Sequence, residues 1–169
     1  MADHSNSSLG TMLPAITLWQ PWATLVATGA KPFEFRSWPA PRRLWGKRVA
    51  IHAGARPVQR DELQELLLRL RGQDARETGL LPHLAIEVLE RALTAPGALP
   101  RSSVLCLATL GEPVRGATLA AKLGFSGVND SDRIAHSHWG WPMTEVEPLL
   151  PFVPARGAQG WWGWRRAMP

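Results

Sequence analysis

Between Ile16 and Ala53 the chain sets strand, turn and helix signals in unbroken succession, and that order leaves few ways to fold it. Ile16-Thr17-Leu18 reads as a short strand. Gln20-Pro21 halts it with a proline suited to the first turn of a helix, and Trp22 to Thr28 makes two helical turns closed by Gly29. After Lys31-Pro32, alternation places Phe33 and Phe35 on one face of an extended segment and Glu34, Arg36 and Trp38 on the other. The first face is core and the second a candidate site. Strict alternation would set Lys31 with the phenylalanines, so grouping it with Glu34 and Arg36 requires the Lys31-Pro32 turn to break the parity.

The remaining elements follow from periodicity. In G-K-R-V-A-I-H-A-G, Val49 and Ile51 share one strand face and Arg48, Ala50 and His52 the other, which can carry His52 beside Glu34 and Arg36. Val58–Arg71 has Leu63, Leu66, Leu67 and Leu70 at helical spacing with Gly72 as its stop, and Pro82 opens a second helix through about Leu93. Ser103–Leu110 is apolar enough for a central strand. Ala117–Leu123 reads as a short helix, F-S-G-V-N-D-S-D as loop, and His138–Val146 as a strand. Leu149–Val153 reads as a separate, edge-bound strand because Pro148, Pro151 and Pro154 crowd it, and Trp161–Arg166 as the last strand. Short strands around one core with helices between them predict an α+β fold, a small mixed β-barrel in place of a parallel sheet. We assign residues 13–166 to this single domain and residues 1–12 to a polar, flexible extension.

Charge is local. Residues 31–60 hold eight basic groups (Lys31, Arg36, Arg42, Arg43, Lys47, Arg48, Arg56, Arg60) against Glu34 alone, whereas the remaining 11 basic and 13 acidic residues nearly cancel. A concentrated basic segment points to phosphates or another polyanion. The competing reading is a solvated arginine-rich face. No apolar run approaches the ~20 residues that span a bilayer, so no membrane partner is expected. Cys106 is the sole cysteine, which excludes an internal disulfide and a cysteine-based zinc site and leads to the expectation of a cytoplasmic protein.

Nine tryptophans and no tyrosine allow two uses. Trp19, Trp139 and Trp164 fall where strands need core, whereas Trp22, Trp38 and Trp45 flank the basic segment and suit base stacking. His52 reads more readily as a hydrogen-bonded strand histidine than as a general base. Asn129, Asp130, Asp132, His136 and His138 mix oxygen and imidazole donors, but their spacing matches no metal motif, and a polar loop capped by two histidines is the plainer reading. No metal or other cofactor is expected.

The order L-W-Q-P-W, T-G-A-K-P-F-E-F-R-S-W and G-K-R-V-A-I-H-A-G-A resembles the ASCH family, the activating signal cointegrator homology domains. A-L-P-R-S-S-V-L-C-L-A-T-L and P-L-L-P-F-V-P-A-R-G-A-Q-G-W-W-G-W extend the likeness over nearly all of Leu13–Trp164. The resemblance implies a PUA-like β-barrel with a cleft lined by the K-x-x-E-x-R segment, and nucleic acid, most often RNA, as ligand. The family's functional residues carry over as Lys31, Glu34 and Arg36, with Gln20 and Trp22 beside them. Some small members are hydrolases that remove an acetyl group from a modified cytidine, others ribonucleases, and others only bind nucleic acid. The acetylcytidine hydrolases place a threonine three residues after their lysine; here Glu34 stands there, and no position in the chain identifies itself as their partner carboxylate.

The sequence therefore predicts binding of RNA or other single-stranded nucleic acid through Gln20, Trp22, Lys31, Glu34, Arg36, Trp38 and His52, with a basic rim at Arg42, Arg43, Lys47 and Arg48. An alternative is a hydrolase acting on RNA or a modified nucleoside in the same cleft, with Lys31 and Glu34 as its proton-transfer pair. A third reading takes the patch as a docking surface for an acidic protein.

Overall fold

Lys47–Ala53, the strand β3, lies near the centre of the sheet because both of its faces can be buried: Val49 and Ile51 enter the main core, and Ala50 and His52 are buried on the opposite side. In the computed structural model, which describes residues 10–166, β3 pairs in parallel with β1 (Met12–Leu18) and antiparallel with β4 (Ser103–Leu110). The other strands are β2 (Phe33–Arg36), β5 (Val114–Arg115), β6 (Trp139–Pro154) and β7 (Trp161–Arg165). The sheet order is β2-β6-β4-β3-β1-β7, with β5 also on β6. Helices α1 (Trp22–Ala27), α2 (Arg60–Arg71), α3 (Pro82–Thr94) and α4 (Gly116–Leu123) occupy the connections. The mixed α+β class is therefore as expected.

Among the described residues no ladder joins β2 to β7, so the expected barrel is not a closed ring of hydrogen bonds. The sheet is nonetheless curled. Trp141 on β6 and Trp161 on β7 are four strand spacings apart, roughly 19 Å in a flat sheet at about 4.8 Å per strand. Their rings instead stack, with centroids 5.8 Å apart and planes 16° from parallel.

Two expectations are corrected. The segments 138–146 and 149–153 are one long strand, β6, because β4 pairs along almost its whole length through two register shifts. β2 and β5 pair only with Trp139–Pro142, so among the described residues β6 has an unpaired edge beyond that point, where prolines are tolerated. The first strand begins at Met12 instead of Ile16, since β7 supplies pairing partners that its own sequence does not announce. Residues 1–9 of the expected extension lie outside the described residues, and Thr11 accepts a bond from the Arg166 amide at 2.9 Å.

Helix α1 separates two apolar cores. Ala23 and Val26 face the sheet with Ile16, Ile51 and Leu105, whereas Leu25 joins the leucines of α2 and α3. Phe35 anchors a smaller cluster with Leu119, Ala120 and Val128. Phe35 thus seats β2 against α4 and leaves Glu34 and Arg36 on its other face, which can support a polar site.

Candidate functional site

Glu34 is the hinge of that site. Its Oε1 accepts from Arg36 Nε at 2.8 Å and its Oε2 lies 3.4 Å from Lys31 Nζ. Lys31 is 1% exposed, and its ammonium also pairs with the buried carboxylate of Asp130. The Lys31-Pro32 turn does break the strand parity: Lys31 Nζ meets Glu34 and also lies 5.0 Å from the Phe35 ring centroid and 5.5 Å from that of Trp22. Arg36 completes the network, its guanidinium 5.9 Å from the Trp38 ring and 5.7 Å from the Trp141 ring. Two cations and two anions thus balance at the floor of a cleft of about 1230 Å³.

Asp130 is the site residue that sequence reasoning missed. The loop after α4 carries it to Lys31, and two bonds hold that loop in place: Arg69 on α2 donates to the Asn129 carbonyl at 2.8 Å, and the Asn129 amide donates to Glu77 at 2.9 Å. Burial pushes the Asp130 carboxyl above its ordinary range; Lys31 opposes that rise and Glu34 adds to it. The available signal was the polar N-D-S-D stretch inside an otherwise packable chain. His136, on the 3-10 turn Ile134–His138, lines the same cleft. Burial holds its imidazole below the ordinary value, with Arg133 and Arg36 reinforcing the effect and Glu34 opposing it.

The other expected residues separate into groups. Trp22, Trp38 and His52 line the cleft with Lys31, Glu34 and Arg36. His52 does so from the far side of β3, bonded to Thr17 Oγ1 at 3.2 Å and the Ala155 carbonyl at 2.9 Å and edge-on to Trp162. Gln20 is buried as a tie: its amide donates to the Pro100 carbonyl at 2.6 Å and its oxygen accepts from the Thr24 amide at 3.1 Å. Arg42, Arg43, Lys47 and Arg48 do not line the cleft. Arg42 covers Trp45, and Arg48 reaches Glu147 at 3.0 Å across the sheet. Trp164 is core as expected and Trp139 half-buried, but Trp19 is 44% exposed, because the chain turns toward Pro21 there and leaves the indole at the cleft mouth. Among the described residues no group of three or more His, Cys, Asp or Glu side chains is arranged to hold a metal.

The family model described as ASCH domain matches residues 16–107, the interval that contains the end of β1, all of β2 and β3, and the Lys31–Glu34–Arg36 segment. The chain belongs to the ASCH domain family. Among solved structures it is similar to the ASCH protein from Zymomonas mobilis, at 16% identity and a TM-score of 0.43 over 83% of this chain and 72% of that one. A tyrosine-to-phenylalanine variant of that protein gives 15% identity and a TM-score of 0.45, covering 83% and 74% of the two chains. Its serine-to-alanine variant gives 16% and 0.44, covering 83% and 72%. Among curated proteins none matches the chain. Within this ASCH domain, no helix of the described residues is long and apolar enough to cross a membrane.

Proposed function

We propose that this ASCH domain binds RNA or another single-stranded nucleic acid by seating a nucleobase on the Lys31–Glu34–Arg36–Asp130 floor. The observation that carries the reading is the pairing of chemistries there. Ammonium and guanidinium donors and carboxylate acceptors are fixed in a concave site beside Trp22 and Trp38. Flat apolar walls with donors and acceptors at one end suit an unstacked base, whose faces stack while its edge hydrogen-bonds. The PUA-like barrel expected of the family would supply the same curled frame through a sheet that need not close.

Glu34→Gln and Arg36→Ala, each followed by thermal denaturation and titration with single-stranded RNA, test the proposal. A binding site predicts a retained fold with altered base preference. A large loss of melting temperature with unchanged RNA affinity and preference would leave the network as scaffolding.

A hydrolytic reading is favoured by one further observation, the raised carboxyl of Asp130 beside a buried lysine. A carboxyl pushed upward by burial beside the Lys31 ammonium could pass a proton to a leaving group on RNA or on a modified nucleoside. With Glu34 where the acetylcytidine hydrolases carry threonine, the attacking group would be water. Efficient deacetylation of acetylcytidine is therefore not expected. Turnover abolished by Lys31→Ala would reverse that expectation.

A further inference from the structure

The cations of the cleft differ in whether their charge is already used. On the floor, Lys31 is paired with Glu34 and Asp130, and Arg36 with Glu34. An incoming phosphate there would meet two buried carboxylates. At the mouth the balance is reversed. The guanidinium centres of Arg56 and Arg133 lie 4.5 Å and 5.4 Å from the ring centroid of the same exposed indole, Trp19, which bounds their separation at the sum of those distances. Arg56 is held by Glu62 at 2.7 Å, whereas Arg133 and Arg156 make no ion pair among the described residues. All three arginines and Trp19 line the cleft that contains the floor network.

Resting on the nucleobase reading of the floor, the geometry points to a phosphate subsite at the mouth, formed by Arg133 and Arg56 against Trp19, with Arg156 as a further cation lining the same cleft. The ligand then enters base first and is a nucleotide or an oligonucleotide, not a free nucleoside. The reason is electrostatic. A neutral base loses little by entering a charge-balanced floor, whereas a phosphate stays where Arg133 and Arg156 have no ion-pair partner among the described residues and Arg56 shares its charge with Glu62 at the solvent edge. Trp19 holds both guanidiniums within cation–π range of one indole, which keeps the two charges close together. Asp132, which also lines the cleft, sets the limit: it disfavours a second phosphate beside Arg133, so the subsite takes one.

The test titrates the intact protein with the four common ribonucleosides, their 5′-monophosphates and dinucleoside monophosphates lacking a terminal phosphate. Inorganic phosphate is followed separately by ³¹P line broadening. The subsite predicts that the phosphorylated ligand binds at least tenfold tighter than its nucleoside. Arg56→Gln/Arg133→Gln should abolish that gain and the inorganic-phosphate broadening while leaving nucleoside affinity and melting temperature unchanged. Arg133→Lys, which keeps the charge, should retain part of the gain. Tighter binding of the monophosphates than of the dinucleosides assigns a terminal phosphate, and the reverse an internal diester. Equal affinity for nucleosides and nucleotides, unaffected by the double variant, overturns the subsite and leaves the base reading standing. Phosphate-dependent binding that is lost in the double variant but indifferent to base identity and to Glu34→Gln keeps the subsite and removes the base reading. No binding of any probe, inorganic phosphate included, overturns both.

Discussion

Lys31 is the residue on which the floor depends, because among the described residues its ammonium alone is shared by both buried carboxylates. Removing one partner from a buried ion pair typically costs about 3–5 kcal/mol, most of it from the charge left behind without compensation. Lys31→Met keeps most of the volume and the contact with Phe35, so it isolates the electrostatic part. We expect it to lower stability by about 3–5 kcal/mol at neutral pH, read by urea denaturation. The deficit should shrink as pH falls. Asp130 already has its carboxyl raised by burial, and without the lysine it rises further; a raised acid favours the folded state at low pH and loses that advantage as pH climbs through its folded value. A deficit independent of pH would show that the loss comes from packing. A second change follows from the same logic: Asp130→Asn in the Lys31→Met background should recover stability near pH 7, because it removes one of the stranded charges.

At the scale of elements, the site is a meeting of β2 with the segment 124–138, and the two differed in how legible they were. β2 declared itself, since Phe33-Glu34-Phe35-Arg36 alternates cleanly and the phenylalanine face must be buried. Asp130 did not, because a carboxylate 99 residues from Lys31 in a loop of small polar residues has no local periodicity to reveal its direction. Trp19 was expected in the core because it directly follows an apolar strand, but β1 ends at Leu18 and the turn into Pro21 leaves the indole exposed. The barrel expectation likewise anticipated the curl without the missing ladder, because strand count and spacing do not specify edge pairing. The seat of β2 also depends on a glycine outside every periodic segment of the sequence. Gly79 has φ +69°, and a Cβ there would lie 2.5 Å from Phe35 Cζ and 2.9 Å from Val128 Cγ1. The left-handed conformation costs a β-carbon about 1–2 kcal/mol, and overpacking typically adds about 1–3 kcal/mol. Gly79→Ala should therefore destabilise the protein by roughly 2–5 kcal/mol, the range those two terms span. It should also weaken ligand binding through Phe35, although Gly79 touches no charge of the network. A melting temperature within a degree of the parent would contradict this account of how β2 is held.

At the scale of the whole molecule, two properties depend on how charge is distributed between interior and surface. The first is acid sensitivity. His52 is 2% exposed and bonded as a neutral ring, with the Ala155 carbonyl fixing the proton on Nε2 and Nδ1 left to accept from Thr17, whose oxygen in turn accepts from Trp162 Nε1 at 3.2 Å. Burial lowers its pKa from 6.5, with the Ala155 bond opposing the fall. The unfolded chain thus takes up this proton first, so the stabilising contribution is present above pH 6.5 and is lost as pH falls through the folded value. His52→Gln should flatten the decline between pH 7 and 5 by at most about 1.4 kcal/mol per pH unit, the limit for one proton; an unchanged decline would remove His52 as its source. The second property is the response of nucleic-acid binding to salt. Of the eight cations in residues 31–60, Lys31, Arg36, Arg48 and Arg56 are held in ion pairs, and Arg60 donates to the Leu93 carbonyl. Arg42, Arg43 and Lys47 remain as an exposed group outside the cleft. The basic segment is therefore a much smaller polyanion surface than its composition implies. If a single strand crosses it, each phosphate contributes about −0.7 to the log–log slope of affinity against salt, so the three cations give about −2. The charge reversals Arg42→Glu and Arg43→Glu together should weaken all sequences about equally and remove the rim's share of the slope, leaving about −0.7 for the one phosphate at the cleft mouth, because contacts to the backbone position a strand without reading it. Glu34→Gln should do the opposite, changing which bases are preferred and leaving the slope intact. Fluorescence titrations of mixed-sequence and homopolymer oligonucleotides at several salt concentrations separate the two. A slope unchanged by the reversals would mean that the strand is held within the cleft alone, with Arg42, Arg43 and Lys47 as solvated surface.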